Sequence, residues 1–556
     1  MSALVLMVVG LGAFTAGYLL YSRFISEHIF RLDPEFRTPA HVQEDGVDFV
    51  PTNRWVLWGH HFTSVAGAAP IVGPAIAVIW GWLPAFLWVT LGTVFFAGIH
   101  DAGALWASVR NEGKSIGALT ESVVGERARS LFMIVIFLLL LMVNAVFAII
   151  IAGLFVDFPS SVIPAWFVIA VAITIGYLLY RRGVALLWPS IIGVTLLYAS
   201  MVVGNQIPLS LPELVFGLGA PALWVVILFA YAAIASLLPV WLLLQPRDYI
   251  NGLQLFIGLG IFFLAVLIAQ PEVVAPMINS SVPDDVPSLI PLLFVTIACG
   301  ACSGFHGLVS SGTTSKQVNN EQDVRFVGFL GTVGEGALAL AAIIACTAGF
   351  ATLGDWEGYY TAFASGGLPA FVQGGGRILA AGLGLPVALG ETLLAVMAIL
   401  FAATTMDTGV RLQRYIVQEA GTIYNIPALT GKGLSTAVAV GCCLALAFGA
   451  GGGGGTGGLV IWPLFGTTNQ LLAALTLLVL SVFLLKQSRP SRYTFVPFLF
   501  LLTMTVWALL IQLKAFFENE QFFLLGLDLV ILVTAIWVAL ESGSAYQKAR
   551  KGESSA

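Results

Sequence analysis

Gly59-His60-His61-Phe62-Thr63-Ser64-Val65-Ala66-Gly67-Ala68-Ala69-Pro70-Ile71-Val72-Gly73-Pro74 is apolar enough to enter a bilayer but too rich in helix breakers to cross it as a regular helix. Three glycines and two prolines fall within these sixteen residues. Pro70 and Pro74 each lack a backbone donor and clash with the preceding turn. Hydrocarbon offers no water to the freed backbone groups, so they must meet protein, ligand or ion. We read the stretch as a broken membrane helix with His60, His61, Ser64 and Gly67 around its break. The competing reading is a kinked structural helix whose histidines lie at the membrane interface.

The rest of the chain supports a membrane setting. Of 556 residues, 58% are hydrophobic and only 10% charged, against about a quarter charged in soluble domains. A net charge of −5 with no basic tract argues against nucleic-acid binding. A span needs about 20 apolar residues. Scanning for such runs predicts an all-α polytopic protein of about fifteen transmembrane helices: 3–22, 59–80, 83–109, 131–156, 163–180, 185–203, 221–243, 253–270, 288–312, 326–350, 386–410, 434–449, 459–485, 494–514 and 522–541. The first run has no basic residue before it and no small-x-small cleavage site, so it reads as a retained span rather than a signal peptide.

Basic residues test the parse, since cytoplasmic loops hold the Lys and Arg. With the N-terminus outside and strict alternation, all 24 Lys and Arg fall inside except Arg377 and Lys514. The expected orientation is N-terminus periplasmic and C-terminus cytoplasmic. The run Gly451–Gly455 lies in an outside loop and lacks the Lys and Ser/Thr of a phosphate loop, so it reads as a connector.

Polar groups inside a membrane are costly and mark function. A second interruption is Cys299-Gly300-Ala301-Cys302-Ser303-Gly304-Phe305-His306-Gly307-Leu308-Val309-Ser310-Ser311-Gly312-Thr313-Thr314-Ser315-Lys316. Two broken spans are the usual pointer to a transporter site at mid-membrane. The candidate substrate-binding residues are therefore His60, His61, Ser64, Gly67, Ser303, His306, Ser310 and Ser311. The candidates for ion coupling are Asp101 (in Gly98–Gly103), Glu335, and Thr404, Thr405 and Asp407 (in Ala402–Gly409). Glu391 is a further intramembrane carboxylate. Asp101 and Asp407 could instead form interfacial ion pairs with Arg110 and Arg411. No metal or cofactor is expected. A site built from Cys299, Cys302 and His306 is the weak alternative, because small paired cysteines are common packing residues. The polar cluster Trp462–Gln470 reads as interhelical glue.

Gly59–Gly67 with its prolines, Leu244-Gln245-Pro246-Arg247-Asp248-Tyr249, Cys299–Thr314 and Trp462–Gln470 occur together and in this order. In these motifs the chain resembles the carbon starvation protein A family. The resemblance implies a bacterial inner-membrane carrier for peptides or pyruvate during nutrient limitation, with proton coupling. It also implies a 5+5 inverted-repeat core with extra helices, here about 59–203 and 221–410. The corresponding division is an N-terminal helix and loop (1–58), a transporter core (59–410) and C-terminal helices (411–556). Cys302 departs from the apolar residue expected there.

The expected partners are a small carboxylate or peptide, a coupling ion and membrane lipid, with oligomeric state open. The chain has no ATP-binding motif, which favours an ion gradient over a primary pump. H⁺ is the first expectation. A sodium version would use Ser310, Ser311 and Thr313 with carbonyls near Ser64–Gly67. A metal-dependent intramembrane sensor or enzyme, or a channel, would be a different class of protein.

Overall fold

The computed structural model describes every residue except 47, 185–186, 216, 240–241, 364–366, 451–457 and 552–556. The glycine run 451–455 lies outside the described residues. In chain order the principal helices are α1 (Ala3–Phe30), α2 (Arg54–Val65), α3 (Ala69–Trp80), α4 (Trp82–Val109), α5 (Glu126–Asp157), α6 (Val162–Arg182), α7 (Leu187–Gln206), α8 (Ala220–Leu237), α9 (Leu244–Ala269), α10 (Leu289–Thr296), α11 (Gly304–Gly312), α12 (Arg325–Ala348), α13 (Gly367–Leu383), α14 (Val387–Ile423), α15 (Lys432–Gly449), α16 (Gly458–Lys486), α17 (Arg492–Glu518) and α18 (Phe522–Lys551). Apart from the paired two-residue strands Leu214–Val215 and Leu218–Gly219, the regular structure among the described residues is helical.

Thirteen helices among the described residues are long and apolar enough to cross a bilayer, and the pair α2/α3 makes a fourteenth. The fifteenth expected span, 288–312, is two short helices, α10 and α11, around a non-helical stretch at 297–303. The protein is therefore a multi-pass membrane protein. α16 forms the centre of the bundle, with 94% of its apolar window buried, whereas α1 has 28% buried. This contrast follows from the solvent: outer helices can leave apolar side chains in lipid, while the central helix has only protein around it. α14 has 37 residues, about 55 Å at 1.5 Å per residue. That exceeds the ~30 Å hydrocarbon thickness, so α14 extends beyond it.

Both breaks predicted from sequence are real, and they touch. α2 and α3 meet at 50° across residues 66–68. In the second break Gly300 has φ +90°, a conformation that favours glycine. A Cβ added at Gly73 on α3 would stand 2.5 Å from the Thr296 carbonyl oxygen, and one at Gly300 would stand 3.5 Å from Pro70 Cα. The absence of side chains lets the first turns of α3, just after the first break, lie against the unwound backbone of the second. The segments flanking the broken helices are also tied, by the Thr52 N–H donating to the Gln317 carbonyl at 3.1 Å. A cavity of about 600 Å³ opens beside this tie, lined in part by Arg54, Asn320, Asp323 and Arg325.

Candidate transport site

The second break is held open by side chains from three other helices. From α4, Thr93 donates to the Gly300 carbonyl at 3.1 Å, and the Trp88 indole N–H donates to the Ile297 carbonyl at 3.1 Å. From α16, the Asn469 carbonyl oxygen accepts the Phe305 N–H at 3.0 Å, while its amide donates to Ser303 Oγ and Cys299 Sγ, both at 3.0 Å. From α12, a Glu335 oxygen accepts the Gly300 N–H at 3.3 Å. These contacts satisfy backbone groups that would otherwise be orphaned in an apolar interior.

Beside the break lies a buried line of ionisable groups. His306 on α11 has Nδ1 2.8 Å from Asp101 Oδ2 and Nε2 3.1 Å from Glu335 Oε1. On the far side of Asp101, His100 Nδ1 lies 2.7 Å from Oδ1. All four residues are buried, and no Lys or Arg among the described residues pairs with them. An imidazolium donates to both carboxylates at once. A neutral ring donates to one and needs a protonated carboxyl on the other side. The two arrangements contain the same number of protons, so the geometry allows a proton to move between His306 and Glu335 without any heavy atom moving. Ionised groups survive in such a place only when paired and hydrogen-bonded.

Asp101 and Glu335 therefore have a histidine partner. Asp101 does not pair with Arg110, which instead forms an ion pair with Glu321. His61, on α2, has Nδ1 2.9 Å from Thr314 Oγ1, and a Cβ at Gly331, one turn before Glu335 on α12, would stand 2.8 Å from its ring. α12 thus touches both histidines. Ser64 donates to its own helix at the His60 carbonyl (2.8 Å), as does Ser311 at the Gly307 carbonyl (2.6 Å). Ser311 also accepts the Ile116 N–H at 2.9 Å, and Thr313 donates to the Val309 carbonyl. The hydroxyls considered for sodium are thus mostly committed to backbone. Ser310 Oγ is buried without a partner among the described residues.

The alternative Cys299, Cys302 and His306 site does not form. Both His306 nitrogens face carboxylates, Cys299 bonds Ser303 and Asn469, and no metal-holding group of three or more His, Cys, Asp or Glu occurs among the described residues.

Thr404, Thr405 and Asp407 belong to a separate cluster between α14, α8 and α9. Asp407 forms an ion pair with Arg247, not with Arg411, and accepts from the Tyr231 hydroxyl at 2.9 Å. Arg411 and Arg414 donate to carbonyls at the end of α8. Asn251 donates to Thr404 Oγ1 at 2.8 Å, and Thr405 lies against Gly67, where a Cβ would stand 2.8 Å from its hydroxyl. Glu391 joins neither cluster and packs on Gly376.

Sequence reasoning missed His100, Asn469, Tyr231, Arg247 and Asn251 as site residues. A signal existed for Arg247, an arginine at the start of an apolar run, and for Asn469 within Trp462–Gln470.

A family model described as carbon starvation protein CstA matches residues 2–357 and 356–508. The peptide transporter CstA of Campylobacter jejuni is 34% identical over 94% of this chain and 82% of its own length. The pyruvate/proton symporter BtsT of Escherichia coli is 32% identical over the same shares. Among solved structures, a point mutant of the manganese transporter from Eremococcus coleocola superposes with a TM-score of 0.50 over 90% of this chain and 99% of that one. At 12% identity that likeness concerns the fold alone.

Proposed function

The chain belongs to the carbon starvation protein CstA family, and from that membership and the paired breaks we propose that it imports small carboxylates such as pyruvate, or peptides, driven by protons. One observation carries the proposal: the two broken helices pack on each other, α3 against the second break, beside the buried Asp101–His306–Glu335 line. Unwound backbone supplies ligand groups, and half-helix N-termini favour anionic ones. The His306 imidazole, with a carboxylate on each ring nitrogen, supplies a relay that accepts a proton on one side and gives it up on the other. In this reading His61, Gly67, Ser303 and Ser310 border the substrate path, while Ser64 and Ser311 shape the backbone. The protein sits in the bacterial inner membrane with its N-terminus outside and C-terminus inside. The cavity at Arg54 and Arg325 is then the cytoplasmic mouth.

Element order supports a matching repeat division. One unit runs from α2/α3 through α4, α5 and α6 to α7. The other runs from α10/α11 through α12, α14 and α15 to α16. Each opens with a broken helix, and α8 and α9 lie between them. Counting each broken pair as one crossing, seven crossings separate the two starts, an odd number that inverts one unit relative to the other. In this reading the second unit begins later than in the 221–410 expected from sequence.

Proteoliposome uptake of labelled pyruvate and of a dipeptide tests the function. Accumulation is expected under an inward proton gradient and unchanged when choline replaces Na⁺. Equal uptake with and without the gradient would contradict the coupling, and loss in choline would indicate sodium.

A further inference from the structure

The motif Leu244–Tyr249 takes no part in the two breaks, yet it contains the most deeply buried arginine. Arg247 is 1% exposed. Its Nη1 donates to Asp407 and, at 2.8 Å, to the Tyr231 hydroxyl. Its Nε and Nη2 make no hydrogen bond among the described residues, and Nη2 has only an ion-pair contact with Asp248. Asp248 Oδ1 lies 3.6 Å from Nη2, beyond hydrogen-bond range. Nε and Nη2 form one edge of the guanidinium, the fork that matches both oxygens of a carboxylate. Leaving two buried donors unmet is costly, whereas a carboxylate arriving there would meet both.

The site adjoins the first break. Asp407 is two residues from Thr405, which lies against Gly67. Asn251, one turn along α9 from Arg247, bonds Thr404, and Gly252 packs on Thr63 of α2.

We propose that the Nε/Nη2 edge of Arg247 binds the carboxylate of the transported anion, and that Asp248 takes up the accompanying proton. This rests on the reading of the protein as a proton-coupled carboxylate importer and names the group that couples the two. The charges explain the coupling. Arg247 and Arg411 with ionised Asp407 and Asp248 have a net local charge of 0. A bound carboxylate would make it −1 inside the membrane, and one proton on Asp248 returns it to 0. The carboxylate gains two N–H···O bonds, the proton comes from water, and no covalent bond changes. Facing Asp248 are Arg247, Asp407 and Arg411, with Tyr231 from α8. The other titratable or charged groups toward this end of the packed helices are His60 on α2, Arg414 on α14, and Arg181 and Arg182 closing α6.

Calorimetry of pyruvate and dialanine binding to the purified full chain, in buffers of different ionisation heat, counts protons taken up. Wild type is expected to take up about one proton per ligand, and Asp248→Asn none while still binding. Amide analogues lacking the carboxylate are expected not to compete, a result that needs only wild-type protein. Arg247→Lys is expected to weaken binding by about tenfold or more, since ammonium lacks the fork. Full competition by the amides, wild-type affinity in Arg247→Lys, or unchanged proton uptake in Asp248→Asn would each overturn the assignment. If wild type binds neither probe, or binds without proton uptake, the functional reading falls and takes this assignment with it. If wild type is coupled and Asp248→Asn equally so, only the assignment falls.

Discussion

His306 is held by a carboxylate on each ring nitrogen, so a substitution there breaks two buried contacts at once. Glutamine at 306 keeps the size of the ring but cannot accept and pass on a proton. His306→Gln is expected to lower gradient-driven accumulation by roughly tenfold or more, the scale of a lost charge-assisted bond, while leaving substrate exchange at equal pH in place. Counterflow and gradient-driven uptake in the same liposomes separate the two. Asn469 acts structurally, through the Phe305 N–H and the side chains of Ser303 and Cys299. Asn469→Ala is expected to cost ~1–3 kcal/mol, read as a lower melting temperature in detergent. His306, Asp101 and Glu335 could be picked out from sequence because each is polar within an apolar span. Their pairing was hidden, since Asp101 and His306 are 205 positions apart. Arg110 and Arg411 looked like partners because they lie near in sequence, but both Asp residues point to groups on other helices.

The broken helices were legible for a physical reason: clustered proline and glycine interrupt the backbone hydrogen bonding that a membrane helix depends on. Sequence could not show that the two breaks pack on one another, because that depends on glycines whose partners are distant. Gly73→Ala tests the contact. Its Cβ would be 2.5 Å from the Thr296 carbonyl oxygen, so the variant is expected to lose ~1–3 kcal/mol and much of its transport. At Gly12, where a Cβ would meet nothing within 4 Å, alanine is expected to be neutral or slightly stabilising. Equal thermal stability and transport in the two variants would contradict the close packing of the breaks. The polar cluster Trp462–Gln470 had two roles that sequence could not separate. Thr467 does lie between helices, 3.4 Å from Gln512, whereas Asn469 caps the second break.

At the scale of the whole molecule, hydropathy found the thirteen long apolar helices and the bent pair α2/α3, while its fifteenth span, 288–312, is two short helices around a break; the distribution of basic residues gave the expected orientation. A reporter fused after α18 is expected to be active only in a cytoplasm-requiring form, and a cysteine introduced ahead of α1 is expected to react with an impermeant maleimide from outside. The reverse labelling would invert the whole scheme and turn the Arg54 cavity outward. The repeat division was less legible, because α8 and α9 intervene and look like any other spans in sequence. The central claim is that substrate and proton cross together beside the paired breaks. It is tested most directly by adding pyruvate or a dipeptide to proteoliposomes loaded with a pH-sensitive dye, with no gradient imposed. Substrate entry is expected to acidify the lumen in wild type and not in His306→Gln; entry without acidification in wild type would overturn proton-coupled import.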